Sequence, residues 1–397
     1  MEKLFHTNSK KDLSEKKHSE SFCSYLNRSS RPEIELIRSE LERWFSRFPQ
    51  EGKSDLIGRF NSDDDRNFMG AFFELYCFEL LEKQGYSVEL HAEVDRNKCT
   101  RPDFLVCLQD RPLFYMECKV YGLSDADYSG EARYGVFYET IEGIESPNFF
   151  IGINRETEPA IQISSRKVKR ELEKWLLTLD PDEVMRQLEK SERSVPSKKI
   201  PIEGWEEVEF FAIPKRRALR RQTGGITVAM DLAGAHSINC KEPLMKALKS
   251  KASKYGVVEL PYVIAVNAIQ NQSSFSNQED VEQVLFGEIR SGWNFEDDSP
   301  ISYREPNGFW IKNGKPNNTR VSAILAGIGI NPWLIHQSSP LLWHNPWAEI
   351  ALDDCLWKGE QKVFDHIHYT MEDKAGLLAR EILEIKEDWL ALWTSIL

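Results

Sequence analysis

The hydrophobic and polar positions in the first third of the chain predict two helices. In PEIELIRSELERWFSRF, which begins at Pro32, apolar residues recur at helical spacing, and the pattern ends before Pro49. A second segment, from about residue 66 to residue 84, follows the acidic run SDDD, which supplies a cap and negative charge for a helix start. This segment is apolar on almost every side, so we expect a deeply buried helix.

Apolar runs in several parts of the chain predict strands. SVELHAEV alternates between polar and apolar residues, and the two runs after it form a hairpin whose turn is QDRP. Further strands are predicted in SPNFFIGI, WEEVEFFAIP and PYVIAVNAI, and further helices at about 164–179, 243–255 and 371–395. A helix followed by a short buried strand is the pattern of an α/β fold.

The domain organisation follows from this order of elements. We predict an α/β fold with a mixed β-sheet core flanked by helices. The polar residues 1–30 are expected to form a flexible tail, and 31–60 is expected to contain an N-terminal docking helix. The core is expected to span 61–270, with an insertion at about 121–205, and a C-terminal α+β module is expected at 278–397.

The composition is that of an ordinary globular protein. Of the 397 residues 41% are hydrophobic, and charged residues break the apolar runs well short of a membrane span. The N-terminus lacks the apolar core of a signal peptide, so we expect a soluble, cytoplasmic protein with no membrane partner. The seven cysteines form no CxxC pair, which argues against structural zinc and favours reduced thiols.

The net charge of −12 argues against a protein that coats nucleic acid indiscriminately, because non-specific affinity comes from neutralising phosphates. Positive charge is nevertheless concentrated in three stretches, which either line one basic groove or are solvated faces. In a groove, the residues that contact nucleic acid would be Arg166, Lys167, Lys169, Arg170, Lys215, Arg216, Arg217, Arg220, Arg221, Lys246, Lys249, Lys251 and Lys254.

Charged residues interrupt the predicted hairpin, TRPDFLVCLQDRPLFYMECK. Asp103 begins one strand, while Glu117 and Lys119 end the other, and a charge among core residues is costly unless it is paired, hydrated or bound to a metal. Side chains alternate along a strand, so Glu117 and Lys119 share a face while Cys118 points away. Asp103 shares that face only if the connection has an odd number of residues or the hairpin contains a bulge.

Glu74, on the buried helix, is a fourth charged residue that needs a partner. The residues three and four positions away from it are uncharged, so nothing on its own helix can pair with it. Glu79, in contrast, has charged residues beside it at positions 82 and 83 and is expected at a wet edge. We therefore expect Glu74 to find its partner across the fold.

Two or three carboxylates and one lysine at the end of a hairpin suit phosphodiester hydrolysis. Asp103 and Glu117 would hold Mg²⁺ or Mn²⁺ through hard oxygen ligands, and Glu74 would complete the shell directly or through water. The main-chain carbonyl of Cys118 is a further candidate metal ligand, because the Cys118 side chain points the other way. Lys119 would position the attacking water or stabilise the leaving oxygen.

The segment GAFFELYCFELLEKQGYSVELH, followed by RPDF and MECK, resembles the core of the PD-(D/E)XK nuclease superfamily, which includes restriction endonucleases. The resemblance covers about residues 66–120. It implies a restriction-endonuclease-like fold whose metal-binding and catalytic positions are Glu74, Asp103, Glu117 and Lys119. The segment is also similar to uncharacterised bacterial proteins of mobile elements and antiviral defence. The implied activity is metal-dependent cleavage of DNA, with RNA as the alternative substrate and a second copy of the chain or a defence-system protein as partner.

Three other interpretations stay open. The charges of Asp103, Glu117 and Lys119 could form a buried ion-pair cluster that fixes strand register. The chain could be a catalytically silent scaffold of the same fold that binds nucleic acid or a partner protein. A carboxylate-metal enzyme acting on small phosphates would have the same charged site but no basic groove.

Overall fold

The computed structural model divides the chain into two compact units. The first unit comprises residues 1–14, 21–122 and 239–397, and the second comprises 15–20 and 123–238. The residues described are 2–6, 12–94, 101–122, 125–155, 157, 159–190, 195–221, 227–233, 241–256, 258–269, 277–293, 300–365, 370–386 and 389.

Helices and strands are numbered in chain order. The helices are α1 (Phe22–Arg28), α2 (Pro32–Arg47), α3 (Gln50–Phe60), α4 (Asp65–Lys83), α5 (Asp125–Glu142), α6 (Ser165–Leu177), α7 (Pro181–Lys190), α8 (Lys241–Ala252), α9 (Gln278–Phe286) and α10 (Ala379–Ile382). The strands are β1 (Ser87–Leu90), β2 (Phe104–Leu108), β3 (Arg111–Tyr121), β4 (Phe149–Arg155), β5 (Ser197–Ile202), β6 (Trp205–Pro214), β7 (Val228–Ala233), β8 (Tyr262–Ala268), β9 (Ile289–Trp293), β10 (Pro300–Arg304), β11 (Ile311–Lys312), β12 (Lys315–Pro316), β13 (Ala323–Ile328), β14 (Leu341–His344), β15 (Gln361–Asp365) and β16 (Thr370–Lys374).

The first unit is built on a large mixed sheet. Within the described residues its strand order is β1-β2-β3-β8-β13-β14-β15-β16. β2 is antiparallel to both β1 and β3, whereas β8 is parallel to both β3 and β13. Strands from the two ends of the chain therefore belong to one hydrogen-bonded sheet.

Helices cover both faces of this sheet. Side chains at alternate positions of β2 and β3, such as Phe104 and Met116, belong to a buried cluster with residues of α2 and α4. The intervening side chains, such as Leu105 and Tyr115, belong to a second cluster with residues of α8 and α9. The predicted mixed α/β architecture, a large sheet flanked by helices, is confirmed.

Helix α4 is buried on almost all sides, as its sequence predicts. The Asp64 side chain caps its first turn by accepting a hydrogen bond from the Arg66 N–H at 2.9 Å. Two of its carboxylates, Glu74 and Glu79, are buried among apolar side chains. Among the described helices, none combines the length and the apolar character that crossing a membrane requires.

The second unit has a smaller sheet of its own. In the residues described, the strand order is β5-β6-β4-β7, with β4 antiparallel to β6 and parallel to β7. Phe137 of α5 and Leu172 of α6 pack in the buried cluster of this unit. The strand β5 pairs with β6 at one edge of this sheet.

The observed boundaries correct several predicted ones. The expected tail, 1–30, contains α1 and the fully buried Leu4. The expected docking helix of 31–60 is a pair of helices, α2 and α3. The expected insertion at about 121–205 corresponds to a unit that extends to residue 238, because β6 and β7 are needed to complete the sheet around β4.

The C-terminal region, predicted as a separate module at 278–397, contributes strands to the large sheet. β13 is parallel to β8 over six residue pairs, so backbone hydrogen bonds make this region continuous with the core. The prediction of one helix at 371–395 is wrong for the described residues of this segment. They form β16, which pairs with β15, and the short helix α10.

Candidate active site

The hairpin of β2 and β3 brings its charged ends together through a bulge. Its turn contains two residues, Gln109 and Asp110, so a regular ladder would place Asp103 on the opposite face from Glu117. The register shifts between Val106 and Cys107, and beyond this shift Phe104 pairs with Met116. The next position along the same register places Asp103 opposite Glu117. The hairpin thus contains the bulge that a shared face requires.

Asp103 is fixed by the backbone of the facing strand. Its Oδ2 accepts a hydrogen bond from the Cys118 N–H at 2.7 Å, where β2 has ended and no longer supplies a ladder partner. The N–H and C=O of one strand residue point to the same side, so the Cys118 carbonyl faces the Asp103 side of β3. The Tyr115 N–H, three residues earlier, bonds to Pro261 on the other side. Because of this alternation, the Cys118 carbonyl points to the same side as Asp103 and could coordinate a metal ion there.

Glu117 is the most tightly enclosed carboxylate of the set, with a side chain that is 0% exposed. Its Oε1 contacts the ammonium groups of Lys251 and, at 2.7 Å, Lys254. Its Oε2 accepts a hydrogen bond from the Tyr255 hydroxyl, whose oxygen lies 2.8 Å from the Arg101 carbonyl oxygen. Burial alone would raise the pKa of Glu117, but the two lysines and the tyrosine together lower that pKa.

Glu74 has the cross-fold partner that the sequence predicts. Arg59, on α3, approaches its Oε2 at 2.7 Å and is itself held by Asp55 at 2.8 Å. Burial raises the pKa of Glu74 to about 7, with Arg59 opposing the rise and the negative charge of Asp103 adding to it. The carboxylates of Glu74 on α4 and Asp103 in the hairpin are therefore electrostatically coupled.

Asp103 and Lys119 respond to the same set of charges. Burial raises the pKa of Asp103, and the neighbouring Glu117 raises it further, while the Cys118 N–H acts in the opposite direction. Lys119 is exposed and shares the strand face of Glu117. Its pKa is lowered, first by desolvation and then by the positive charge of Lys251. The four predicted residues therefore form one electrostatically connected group.

The spacing of the carboxylates sets a limit on how they could bind metal. Among the described residues, the three carboxylates of Glu74, Asp103 and Glu117 are not a group whose ligand atoms all lie within 4.8 Å of one another. The ligand types nevertheless suit a hard divalent cation, because carboxylates and a main-chain carbonyl all offer oxygen. Asp103 and Glu117 stand opposite one another in the hairpin register and offer such oxygen atoms, but the three carboxylates together do not converge on one point in this arrangement.

Glu79 corrects a prediction made from the sequence. Instead of lying at a wet edge beside Lys83, Glu79 is 0% exposed and forms an ion pair with Arg47 of α2. Lys83 pairs with Glu384. The reason is that α2 packs against α4 on the side that the sequence assigned to solvent, so the carboxylate needs a cation there.

The third basic stretch is divided between two roles. Lys246 and Lys249 are exposed on α8, whereas Lys251 and Lys254 contact Glu117. Sequence reasoning assigned all four lysines to nucleic acid and did not connect any of them with the carboxylates. Tyr255 was missed as a site residue because its helical spacing with Leu248 and Ala252 indicated only a core position.

The other two basic stretches lie in the second unit. Lys215 is buried and donates to the Ser146 carbonyl at 2.9 Å, which is a structural contact. Arg217 and Arg220 form ion pairs with Asp182 at 3.2 and 2.9 Å. Lys169 donates to the Gly143 carbonyl at 2.9 Å. The exposed members of these stretches are Arg166, Lys167, Arg170, Arg216, Arg217 and Arg221, and their contact with nucleic acid stays a prediction.

Two other features of the first unit lie apart from this group. A cavity of about 340 Å³ is lined mainly by apolar side chains, among them Met69, Ile330 and Trp333, and by none of the four predicted residues. Among the described residues, a cluster of Asp353, Asp354 and Cys355 has ligand atoms within 4.8 Å of one another. Lys374 already pairs with Asp354 at 2.9 Å, so part of that acidic charge is compensated.

Comparisons with models of protein families, with curated proteins and with solved structures found no match.

Proposed function

We propose that this protein is a metal-dependent nuclease of the PD-(D/E)XK type that hydrolyses phosphodiester bonds in DNA. The observation that carries the proposal is the hairpin register, which sets Asp103 opposite Glu117 with Lys119 on the same face as Glu117. Buried charges seldom add stability over apolar residues of similar size, so a function beyond stability is the better explanation.

The order of elements supports a restriction-endonuclease-like core. The buried helix α4, which carries Glu74, precedes β1, β2 and β3; Asp103 stands directly before β2, and β3 carries the E-x-K. After the second unit, α8 leads into β8, which lies parallel to β3. The resemblance that suggests the nuclease family extends the proposal to a role in bacterial defence or mobile elements.

In the proposed hydrolysis of a phosphodiester, each residue of the site has its own role. Asp103, Glu117 and the Cys118 carbonyl would bind Mg²⁺ or Mn²⁺, with Glu74 joining through water, and the ion would activate a water and neutralise charge on the phosphate. The exposed ammonium of Lys119 would donate a hydrogen bond to the attacking water or to the leaving oxygen. The Cys118 N–H orients Asp103, and Arg59 orients Glu74.

The test is cleavage of duplex DNA by two site variants. Glu117→Gln removes a ligand charge, and Lys119→Met removes the ammonium, while both keep approximate volume. We expect each variant to fold and to bind a labelled duplex in EDTA, but to lose cleavage with Mg²⁺ or Mn²⁺ by at least about 100-fold.

The matched control is Glu89→Gln on β1, which neutralises an exposed carboxylate on a neighbouring strand. This control variant should cut at the rate of the parent. Cleavage by Glu117→Gln, purified free of parent protein, would contradict the assignment of the site.

A second function is favoured by one observation, the pairing of each carboxylate with a group of the protein itself. Glu74 has Arg59, Glu117 has two lysines, and Asp103 has the Cys118 N–H. Carboxylates that are each paired within the protein are also expected in a nuclease-fold scaffold that binds nucleic acid or a partner protein without cutting. Calorimetric titration with Mn²⁺ in the presence of an oligonucleotide that resists cleavage separates the two, because the scaffold would bind no ion and the enzyme would bind one through Glu117.

A further inference from the structure

Two lysines neutralise a carboxylate that the proposed nuclease would need for its metal. Glu117 is fully buried, and its Oε1 is held by Lys251 and Lys254 together. The side chains of these lysines are 18% and 30% exposed, whereas the side chain of Glu117 is 0% exposed. The lysines can therefore turn outward, whereas Glu117 is fixed in the sheet.

Electrostatics makes the two kinds of cation exclude each other. A divalent ion at Glu117 would add two positive charges next to two ammonium groups, and like charges at contact distance in a partly buried site repel strongly. Binding an ion therefore requires that at least one lysine leaves Glu117. A displaced ammonium beside an added cation needs a new anion nearby.

We propose that Lys251 and Lys254 make metal binding depend on the phosphodiester backbone. Without substrate, they hold Glu117 and keep the affinity for divalent ions low. With substrate, they turn to the phosphate oxygens and release Glu117 to the ion. This inference rests on the proposed nuclease function and adds to it a coupling between substrate and metal.

The backbone around α8 supports such a change of partners. The Tyr262 hydroxyl donates to the Lys251 carbonyl at 3.2 Å, and Arg320 donates to the Tyr255 and Gly256 carbonyls at 2.9 and 3.0 Å. These bonds fix the main chain from Lys251 to Gly256. Only the side chains of the two lysines therefore need to move. Tyr255 keeps one hydrogen bond on Glu117 throughout.

The experiment is calorimetric titration of Mn²⁺ into the protein, with and without a phosphorothioate oligonucleotide that resists cleavage. A titration of the oligonucleotide alone supplies the reference. For the parent, the oligonucleotide should tighten Mn²⁺ binding by about 10-fold or more, and Mn²⁺ should tighten oligonucleotide binding by the same factor. The Lys251→Met/Lys254→Met variant should bind Mn²⁺ tightly without the oligonucleotide and show little further gain.

The matched control is Lys312→Met/Lys315→Met, which removes the same number of charges from exposed positions of β11 and β12 in the same unit. This control should keep the coupling of the parent. Because loss of both cations could destabilise buried Glu117, Lys254→Met alone is tested as well, and it should raise the substrate-free Mn²⁺ affinity part of the way.

The outcomes separate this inference from the proposed function. Unchanged or weaker Mn²⁺ binding by the folded Lys254→Met variant overturns the lysine coupling while leaving the nuclease intact. Equal coupling in the parent and in the folded double variant does the same. If the parent binds no Mn²⁺ under either condition, or if Glu117→Gln binds it as well as the parent does, the metal-dependent function itself fails.

Discussion

Two buried glutamates on one helix, Glu74 and Glu79, have different surroundings although both pair with an arginine. Arg47 approaches Glu79 inside the layer of helices, whereas Arg59 approaches Glu74 where that carboxylate also faces the charge of Asp103. A pair of opposite charges is a structural feature, while a carboxylate next to another carboxylate is costly without a cation. At the scale of single residues, this second carboxylate distinguishes the candidate site from an ordinary ion pair.

Stability of the metal-free protein should depend on pH through Glu74. Below a pH of about 4.5 the carboxyl is protonated in both folded and unfolded chains, but between 4.5 and about 7, its folded pKa, only the folded protein keeps the proton. Stability should therefore fall as pH rises across this window, by an amount on the order of 3 kcal/mol for Glu74 alone. Urea unfolding in EDTA should give a flatter pH profile for Glu74→Gln than for the parent.

Exposed Glu89→Gln is the control for this comparison and should follow the parent. A Glu74→Gln profile as steep as that of the parent would mean that other groups carry the pH dependence.

At the scale of elements, the sequence predicted the hairpin and the requirement that Asp103 share a face with Glu117. It did not predict the bulge that meets this requirement. Alternation of side chains identified the strands and the face of Glu117, because that pattern is local. The bulge depends on how Leu113 is accommodated opposite β2, which pairs Val106 with Phe114 and Cys107 with Pro112. Nothing in the local sequence distinguishes a bulge from a regular ladder with its charges on opposite faces.

The helix α5 was missed for a related reason. Its sequence, DADYSGEARYGVFYETIE, contains glycines that lower helix propensity and indicate a loop. A Cβ at Gly135 would stand 3.0 Å from the main-chain oxygen of His18, a tight contact, so glycine favours the close approach of residues 15–20. The contact is distant in sequence and could not be anticipated from α5 itself.

The turn of the hairpin offers a prediction about stability. Gln109 and Asp110 have φ values of 50° and 61°, the left-handed region that a two-residue turn of this type needs and that asparagine and glycine favour. Gln109→Asn with Asp110→Gly should raise the free energy of unfolding by about 0.5–1 kcal/mol without affecting Mn²⁺ binding. Denaturant unfolding and calorimetry measure the two quantities.

Gln109→Val reverses the sign at the same position, because a β-branched residue is strained in that region, and it should destabilise the protein. Equal stability of the asparagine–glycine and valine variants would contradict the observed turn.

At the scale of the whole molecule, the sequence did not predict which strands pair when they are far apart along the chain. β3 and β8 are parallel partners separated by the entire second unit, and β13 continues the same sheet. Each strand was recognisable from its own apolar run, but partner choice depends on contacts that no local pattern records. For this reason the sequence predicts a C-terminal module beside the core, whereas the strands of this region extend the core sheet.

Net charge is also a property of the whole molecule, and it makes local basic surfaces decisive for binding DNA. With a net charge of −12, the protein can attract a polyanion only through exposed cations that are not already neutralised by carboxylates. On this criterion the two basic stretches of the second unit differ. Arg217 and Arg220 share Asp182, whereas Arg166, Lys167 and Arg170 are exposed along α6.

We therefore expect Arg166→Gln/Lys167→Gln/Arg170→Gln to weaken DNA binding more than Arg216→Gln/Arg217→Gln/Arg220→Gln, although both variants lose three charges. Affinity falls with salt, and each lost phosphate contact reduces the magnitude of this negative slope of log affinity against log salt by roughly 0.9 for duplex DNA. Fluorescence anisotropy of a labelled duplex at several salt concentrations, with EDTA present to prevent cleavage, gives the slopes. The slope of the α6 variant should be shallower than that of the parent by an amount that corresponds to about two lost phosphate contacts. For the other variant the change should correspond to one contact or fewer. If both folded variants keep the parental slope, the cations of the second unit are solvated faces, and the DNA must be held by other residues such as Lys246 and Lys249 of α8.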